Sequence, residues 1–443
     1  MAAATLSFAF RQRAAATQQP RRNLVFFSQC CFSSAAPDNG LPPSPLAGLR
    51  VLELASVLAG PSTGQFLAEL GADVIKVENR RTRGDVTRGW RLPNEAGKDG
   101  DRPAYFRCCN MGKRSIAIDA SIPGGQKLVR ELALASDVVL ASYKPGDAEK
   151  FGLDAESLRK QNPRIVYAQI TGYGLDDPRV GYDAIIQAEA GFTYMNGEPG
   201  DRGQPTKMPV AMVDLFAAHQ LKQAILLALW RRDKTGEGGH VHVSLMAAAV
   251  ASLANQATGY LFAGAIPERM GSDHPSICPY GTAFYDKEGE ALILAVGADS
   301  QFRSLCEIIG RPELASDERF QTNAQRVHHR DTLKAQLATE IAKFGREELL
   351  KKLSARNVPA GAVAKMNTVF EQRQAEALVM RDDASRDAMG LRQVAWLGDG
   401  IADWLPKTPP SYGEHSREIL SDVLGLSASD VDSLVGEKVV DAK

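Results

Sequence analysis

The chain has 443 residues, 44% of them hydrophobic and 24% charged, with a net charge of −1. That length exceeds one ordinary hydrophobic core and implies two domains, or one large α/β domain with additions. Near-neutral charge gives no sign of nucleic acid or a membrane surface as partner, although an anionic ligand would still need a local basic groove. Six cysteines without CxxC or Cys/His ligand spacing argue against a structural metal site and fit reduced, mostly buried thiols.

From Met1 to Pro37 there is no acidic residue, while Arg11, Arg13, Arg21 and Arg22 stand among many Ala and Ser. This is the pattern of a transit peptide, with its basic helix suited to mitochondrial import and its cleavage point within 24–37. After a Pro-rich joint at Leu41–Leu46 the pattern becomes β-α-β. RVLEL (Arg50–Leu54) reads as a buried strand, Pro61 opens a helix through Leu70, and DVIKVE (Asp73–Glu78) is the next strand. A helix at Gly124–Ala135 and strands at Asp137–Ser142 and Arg164–Ile170 continue the alternation, which predicts a parallel sheet covered on both faces. The turn after the first strand, LASVLAGPSTG, is not GxGxxG, so a dinucleotide fingerprint is missing.

Apolar residues at Leu215, Ala218, Leu221, Ala224, Ile225, Ala228 and Leu229 keep helical period as far as Arg232. The longest apolar run there, Ala224–Trp230, is far too short to span a bilayer. KTGEGGH breaks the helix, and His242–Leu245 reads as a short strand before an alanine-rich helix. Thr282–Tyr285, a DKEGE turn and Ala291–Val296 form a hairpin, followed by helices near 300–309, 330–344 and 346–355. A smaller α+β unit at 270–360 follows from this change of pattern, and the tail returns to helix at Ser416–Leu424 and Ser429–Leu434.

Several stretches together resemble family III of the CoA-transferases, the group of formyl-CoA transferase and carnitine CoA-transferase. They are GLRVLELASVLAGPSTGQFLAELGADVIKVE, NMGKRSIAID, SYKPG, ITGYG, GYDA, MVDL, KTGEG and GEHSREIL, in that order from Leu46 onward. ERMGSDHPSICPYGTAF (Glu268–Phe284), NAQRVHHRDTL (Asn323–Leu333) and the leader resemble the branch that exchanges CoA between succinate and glutarate. The resemblance implies an α/β fold with a Rossmann-like large domain built from both chain ends (46–245 and 365–443), a small α+β domain (270–360) and an interlocked homodimer. It further implies acyl-CoA and carboxylic acids as substrates and no permanently bound cofactor, while the leader points to the mitochondrial matrix, the cysteine spacing to no metal, and the near-neutral charge to neither nucleic acid nor membrane as partner.

CoA transfer between acids needs a nucleophile that can hold an acyl group at intermediate energy, and a carboxylate does this. Asp214 aligns with the family's catalytic aspartate and sits at the predicted start of a long helix, where the macrodipole favours a charged carboxylate. Taken bare, an Asp in that place is an N-cap. The resemblance also implies that Leu58 and Ala59, with Ser142, Tyr143, Lys144 and Lys150, contact CoA, and that Tyr182 and Asp183 line the pantetheine channel. Asn79 stands where the family has a basic nucleotide-contacting residue, with Arg80 and Arg81 next to it. The glycine-rich loop of formyl-CoA transferase is replaced by AVGADSQF (Ala295–Phe302), which argues against oxalate as acceptor. A dicarboxylic acceptor needs a cation for its far end; His274 and Arg114 are candidates for its pocket. Two rival readings are an α-methylacyl-CoA racemase, disfavoured because Tyr182 replaces a catalytic His, and a non-catalytic acyl-CoA-binding protein.

Overall fold

The computed structural model describes residues 44–96, 100–200, 203–382, 385, 387–396 and 408–442, and the leader expected at 1–37 lies outside them. Strands β1 (Arg50–Leu54), β2 (Asp73–Asn79), β3 (Arg114–Ile118), β4 (Val138–Ala141), β5 (Val166–Thr171) and β6 (Gly239–Ser244) form one parallel sheet in the order β3-β2-β1-β4-β5-β6. The middle strands read as continuous apolar runs because both faces are covered; all four residues of β4 are buried. β6 starts earlier than the expected strand at His242, because it pairs with β5 along its whole length, from Val166–Gly239 to Thr171–Ser244.

Helices Ala59–Glu69, Met212–Thr235 and Leu245–Ala251 cover one face around Val51, Val74, Val138, Leu140 and Ala168. Helices Pro123–Leu134, Ala155–Gln161, Ser416–Leu424 and Ala428–Gly436 cover the other, around Leu52, Ile75, Val139 and Tyr167. The long helix turns Val213, Ala217, Leu221, Ile225 and Ala228 inward at helical spacing, and Gly236 closes it in the left-handed region at φ +79. By length and composition this helix would suit a bilayer, but it buries Lys222 and Arg232 against protein, where they meet Gln393 and Asp137.

A separate antiparallel sheet of β7 (Tyr280–Tyr285), β8 (Ala291–Ala295) and β9 (Ala360–Ala362) packs with helices Asp299–Ile308, Arg330–Ile341 and Arg346–Ala355 around its own core of Phe284, Leu292, Phe302, Leu337 and Leu349. The chain then forms the two-stranded ribbon β10 (Val379–Arg381) and β11 (Ala388–Leu391), and finally β12 (Val440–Asp441), antiparallel on the free edge of β3. After β11, the buried carboxylate of Glu69 accepts the backbone N–H groups of Gln393 and Val394 at 2.7 and 2.9 Å, fastening this late segment to the first helix.

Candidate active site

The strand order reverses between β1 and β4, with β2 and β3 on one side and β5 and β6 on the other. Segments leaving the two strands diverge at such a point, and a crevice opens at the carboxyl edge of the sheet. A cavity of about 310 Å³ lies there, walled by Ser56–Gly60 after β1, Ser142–Pro145 after β4, Ile170–Gly172 at the end of β5, Arg179–Asp183, and Asp214. Leu58, Ala59, Ser142, Tyr143, Lys144, Tyr182, Asp183 and Asp214 therefore share one cavity, although 156 positions separate the first from the last. A second cavity, of about 550 Å³, is bounded by the ends of β1, β2 and β3 and shares Ser56 and Tyr143 with the first.

Asp214 is the third residue of the long helix and only 9% exposed. Among the described residues its carboxylate has no hydrogen-bond or ion-pair partner. Burial, and after it the neighbouring Asp183 carboxylate, push its carboxyl up to about 7. The helix terminus was expected to favour the charged form; here burial outweighs it. Asp214 is not an N-cap either. That position is Ala211, and the helix is instead capped from outside by Asp183, whose Oδ1 accepts the Val213 N–H at 2.9 Å. Asp183 Oδ2 accepts from Gln187 Nε2 at 2.7 Å, so this carboxylate is fully engaged where that of Asp214 is not.

Burial pushes the Tyr143 phenol up to about 12, and Asp147 adds to it; the ring tilts against Phe151. Tyr182 is well exposed at the cavity mouth, and Lys144 is exposed without an ion-pair partner among the described residues. Arg179, which the motif reading passed over, also lines the cavity; it lies 3.7 Å over the Tyr173 ring and pairs with Asp177 at 2.8 Å. The ITGYG and GYDA motifs meet backbone to backbone: a Cβ on Gly181 would stand 2.4 Å from Gly172 Cα. Only glycine on both sides lets the 172–181 loop close beside Asp183.

Four expected site residues fall outside this cavity. Asn79 lines the second cavity, and its Oδ1 accepts the Arg81 N–H at 2.9 Å. Arg80 is drawn away by Asp441 at 2.7 Å, whereas Arg81 Nη1 lies 3.4 Å from the Ser121 hydroxyl on the wall of the second cavity. Lys150 is exposed, pairs with Asp147 at 2.8 Å and lines neither cavity. Arg114 opens β3 at the opposite, amino-terminal end of the strand and is held there by Asp73 at 2.6 Å and Glu418 at 2.9 Å. His274 sits in the loop before β7, where Nδ1 accepts the Ser276 N–H at 3.2 Å and the ring packs edge-on to Tyr280. Among the described residues, no group of three or more His, Cys, Asp or Glu side chains converges as a metal site.

The chain matches the family model described as CoA-transferase family III over residues 46–416. It is 40% identical over 388 residues to the succinate–glutarate CoA-transferase of Agrobacterium fabrum, covering 86% of this chain and 96% of that one. It is 34% identical over 405 residues to the human succinyl-CoA:glutarate CoA-transferase, covering 90% of each. Among solved structures, a CaiB/BaiF family protein from Brucella suis superposes with a TM-score of 0.74 at 40% identity, over 86% of this chain and all of that one.

Proposed function

We propose a substrate pair and a route for this chain, which belongs to CoA-transferase family III and is a CoA-transferase. CoA passes from succinyl-CoA to glutarate or a closely related dicarboxylic acid, with Asp214 as the group that carries the acyl. The observation that carries the route is the buried, unpartnered carboxylate of Asp214 facing the crevice at the switch point. The names of the relatives from Agrobacterium fabrum and human support the substrate pair.

In this route the Asp214 carboxylate attacks the thioester carbonyl, the C–S bond breaks, and CoA leaves as thiolate while a mixed anhydride forms. The thiolate attacks the aspartyl carbonyl, releasing succinate and leaving an aspartyl–CoA thioester. The acceptor carboxylate attacks that thioester, again displacing thiolate, and the thiolate then takes the acceptor's acyl group and frees Asp214. No net proton is consumed, and each anhydride must be kept from water, which a cavity of about 310 Å³ lined by Leu58, Ala59 and Ile170 favours. The second cavity, with Asn79, Ser121 and neighbouring Arg81, suits the nucleotide end of CoA, and Lys144 suits its phosphates.

Residues 46–245 with 365–443 form the large domain in this reading and 270–360 the small one, which agrees with the separate core around Phe284 and Leu337. Self-association is favoured by the apolar surface of Leu227, Trp230, Leu261, Phe262 and Ile266, each at least 60% exposed. The acid-free, arginine-bearing leader favours the mitochondrial matrix.

The test uses protein from about residue 38 onward, succinyl-CoA and a panel of acids, with new CoA esters read by mass spectrometry. Glutaryl-CoA should form faster than oxalyl-CoA or carnitinyl-CoA, and equal rates would sink the substrate pair. Asp214→Ala should abolish transfer while CoA binding remains; survival of about a tenth of the activity would remove Asp214 from this role.

A further inference from the structure

Val57 adopts φ +71 in the turn between β1 and the first helix. A β-branched residue in the left-handed region is a genuine outlier, held there only when its surroundings over-determine it. Those surroundings are explicit. The Val57 N–H donates to the Asp85 carboxylate at 3.2 Å, and the Val57 carbonyl accepts from Cys109 Sγ at 3.3 Å. Two residues earlier, the Ala55 carbonyl accepts from Lys76 Nζ at 3.0 Å.

These contacts belong to one buried chain of alternating charge. Asp85 pairs with Lys76 at 2.9 Å, Lys76 with Glu53 at 3.0 Å, and Glu53 with Lys113 at 2.7 Å, every side chain at most 1% exposed. Lys113 Nζ also donates to the Pro61 carbonyl at 2.9 Å, so the network grips the turn on both sides of Leu58 and Ala59. Burial alone would push the Asp85 carboxyl up, but Lys76 and the Thr87 N–H and hydroxyl hold it below the ordinary carboxylate range. The anionic form of Asp85 is thus favoured, and its carboxylate accepts the Val57 N–H beside the Thr87 N–H and hydroxyl.

We infer that Asp85 is a positioning residue for CoA transfer: by holding Val57 in the left-handed region it sets the Leu58–Ala59 backbone in the cavity that Asp214 also lines. This rests on the reading of Asp214 as the acyl carrier. Asp85 lies in the wall of the second cavity with its side chain 1% exposed, and in this inference it acts by fixing where the turn stands, since small misplacements of such a wall are costly in rate.

The test separates position from charge. Asp85→Glu keeps the anion that Lys76 requires but displaces the oxygen that holds Val57, whereas Asp85→Asn keeps an acceptor oxygen and removes the charge. Thermal unfolding and steady-state kinetics are measured for both, with Asp214→Ala alongside. Asp85→Glu should fold and lose about 10²-fold in kcat, with KM for succinyl-CoA within about threefold of the parent. Adding Val57→Gly, which removes the steric penalty of positive φ, should recover about tenfold or more of that loss. Wild-type kcat in Asp85→Glu, or a loss that Val57→Gly leaves untouched, would reduce Asp85 to a charge partner of Lys76. If Asp85→Asn does not fold, Asp85→Glu and its Val57→Gly double variant still decide the matter. Activity surviving in Asp214→Ala would overturn the acyl-carrier reading instead, so the two failures are distinct.

Discussion

Replacing Asp214 by Asn should make the protein more stable while removing its activity, and the gain should depend on pH in a calculable way. An ordinary Asp carboxyl titrates near 3.8, and this one is pushed up to about 7 by burial and by Asp183. Each pH unit of difference is worth about 1.4 kcal/mol, so ionising Asp214 in the folded chain costs about 4 kcal/mol. The sign follows from proton binding. Between the two values the folded state holds a proton that the unfolded state has released, so stability falls as pH rises. The cost is absent below 3.8, grows through the interval and is complete above 7. Between pH 5.5 and 8.5 it should increase by about 2 kcal/mol. Asn has its own burial cost, but one that does not vary with pH. Urea unfolding of both proteins at these two pH values should therefore show the Asn variant's advantage widening by about 2 kcal/mol at the higher pH. An advantage of equal size at both would refute the claim that Asp214 is held as a reluctant anion.

Four further outcomes are expected. The rate kcat/KM should fall below about pH 7, because the protonated form of Asp214 is not a nucleophile; Asp183→Asn, which removes the neighbouring charge but can still cap Val213, should move this acid limb to lower pH in a pH–rate profile. Lys222 is buried and pushed down to about 8 by desolvation, so its charge is a burden below pH 8 that fades toward 10.5; Lys222→Met should stabilise the fold at pH 7 by about 1–3 kcal/mol in urea unfolding. Arg81→Ala should raise KM for succinyl-CoA by about five- to tenfold and Arg80→Ala much less, since Arg80 is taken by Asp441. Gly181→Ala should lower stability by about 1–3 kcal/mol in the same unfolding assay, because the new methyl group would meet Gly172 backbone.

Much of the crevice is legible in the sequence for a topological reason. Leu58, Ser142 and Tyr143 follow β1 and β4, the two strands at the switch point, and a βαβ reading sends all such turns to the same edge of the sheet. What escapes the sequence is anything settled by a distant partner. β3 hides inside the NMGKRSIAID motif and opens on an arginine that Asp73 and Glu418, the latter 304 positions later, hold at the amino-terminal end of the strand. β12 is two residues long and exists only as an addition to β3. The ion pair that engages Arg80 comes from Asp441 at the far end of the chain. Val57 carries no local sign of positive φ, since glycine rather than valine marks such positions; its conformation comes from Asp85 and Cys109.

The buried carboxylates of this molecule give a comparison that bears on function. Glu53 meets Lys76 and Lys113, Glu78 meets Arg88 at 2.6 Å, Asp85 meets Lys76, and Glu69 takes two backbone N–H groups. A fold that supplies partners for these, and for the buried Asp119, Asp286 and Glu340 as well, does not lack the means to supply one more. Buried charges left alone are costly enough that structures seldom keep them without use. Asp214 is the acid left without a partner among the described residues, and it is the one that faces the cavity. In the proposed route, any fixed cation or donor there would lower its energy in the resting protein and weaken its attack on a thioester. On the proposed route, the missing partner and the expected gain in stability on replacing Asp214 have one cause, a carboxylate kept reactive by denying it the contacts that its buried neighbours receive.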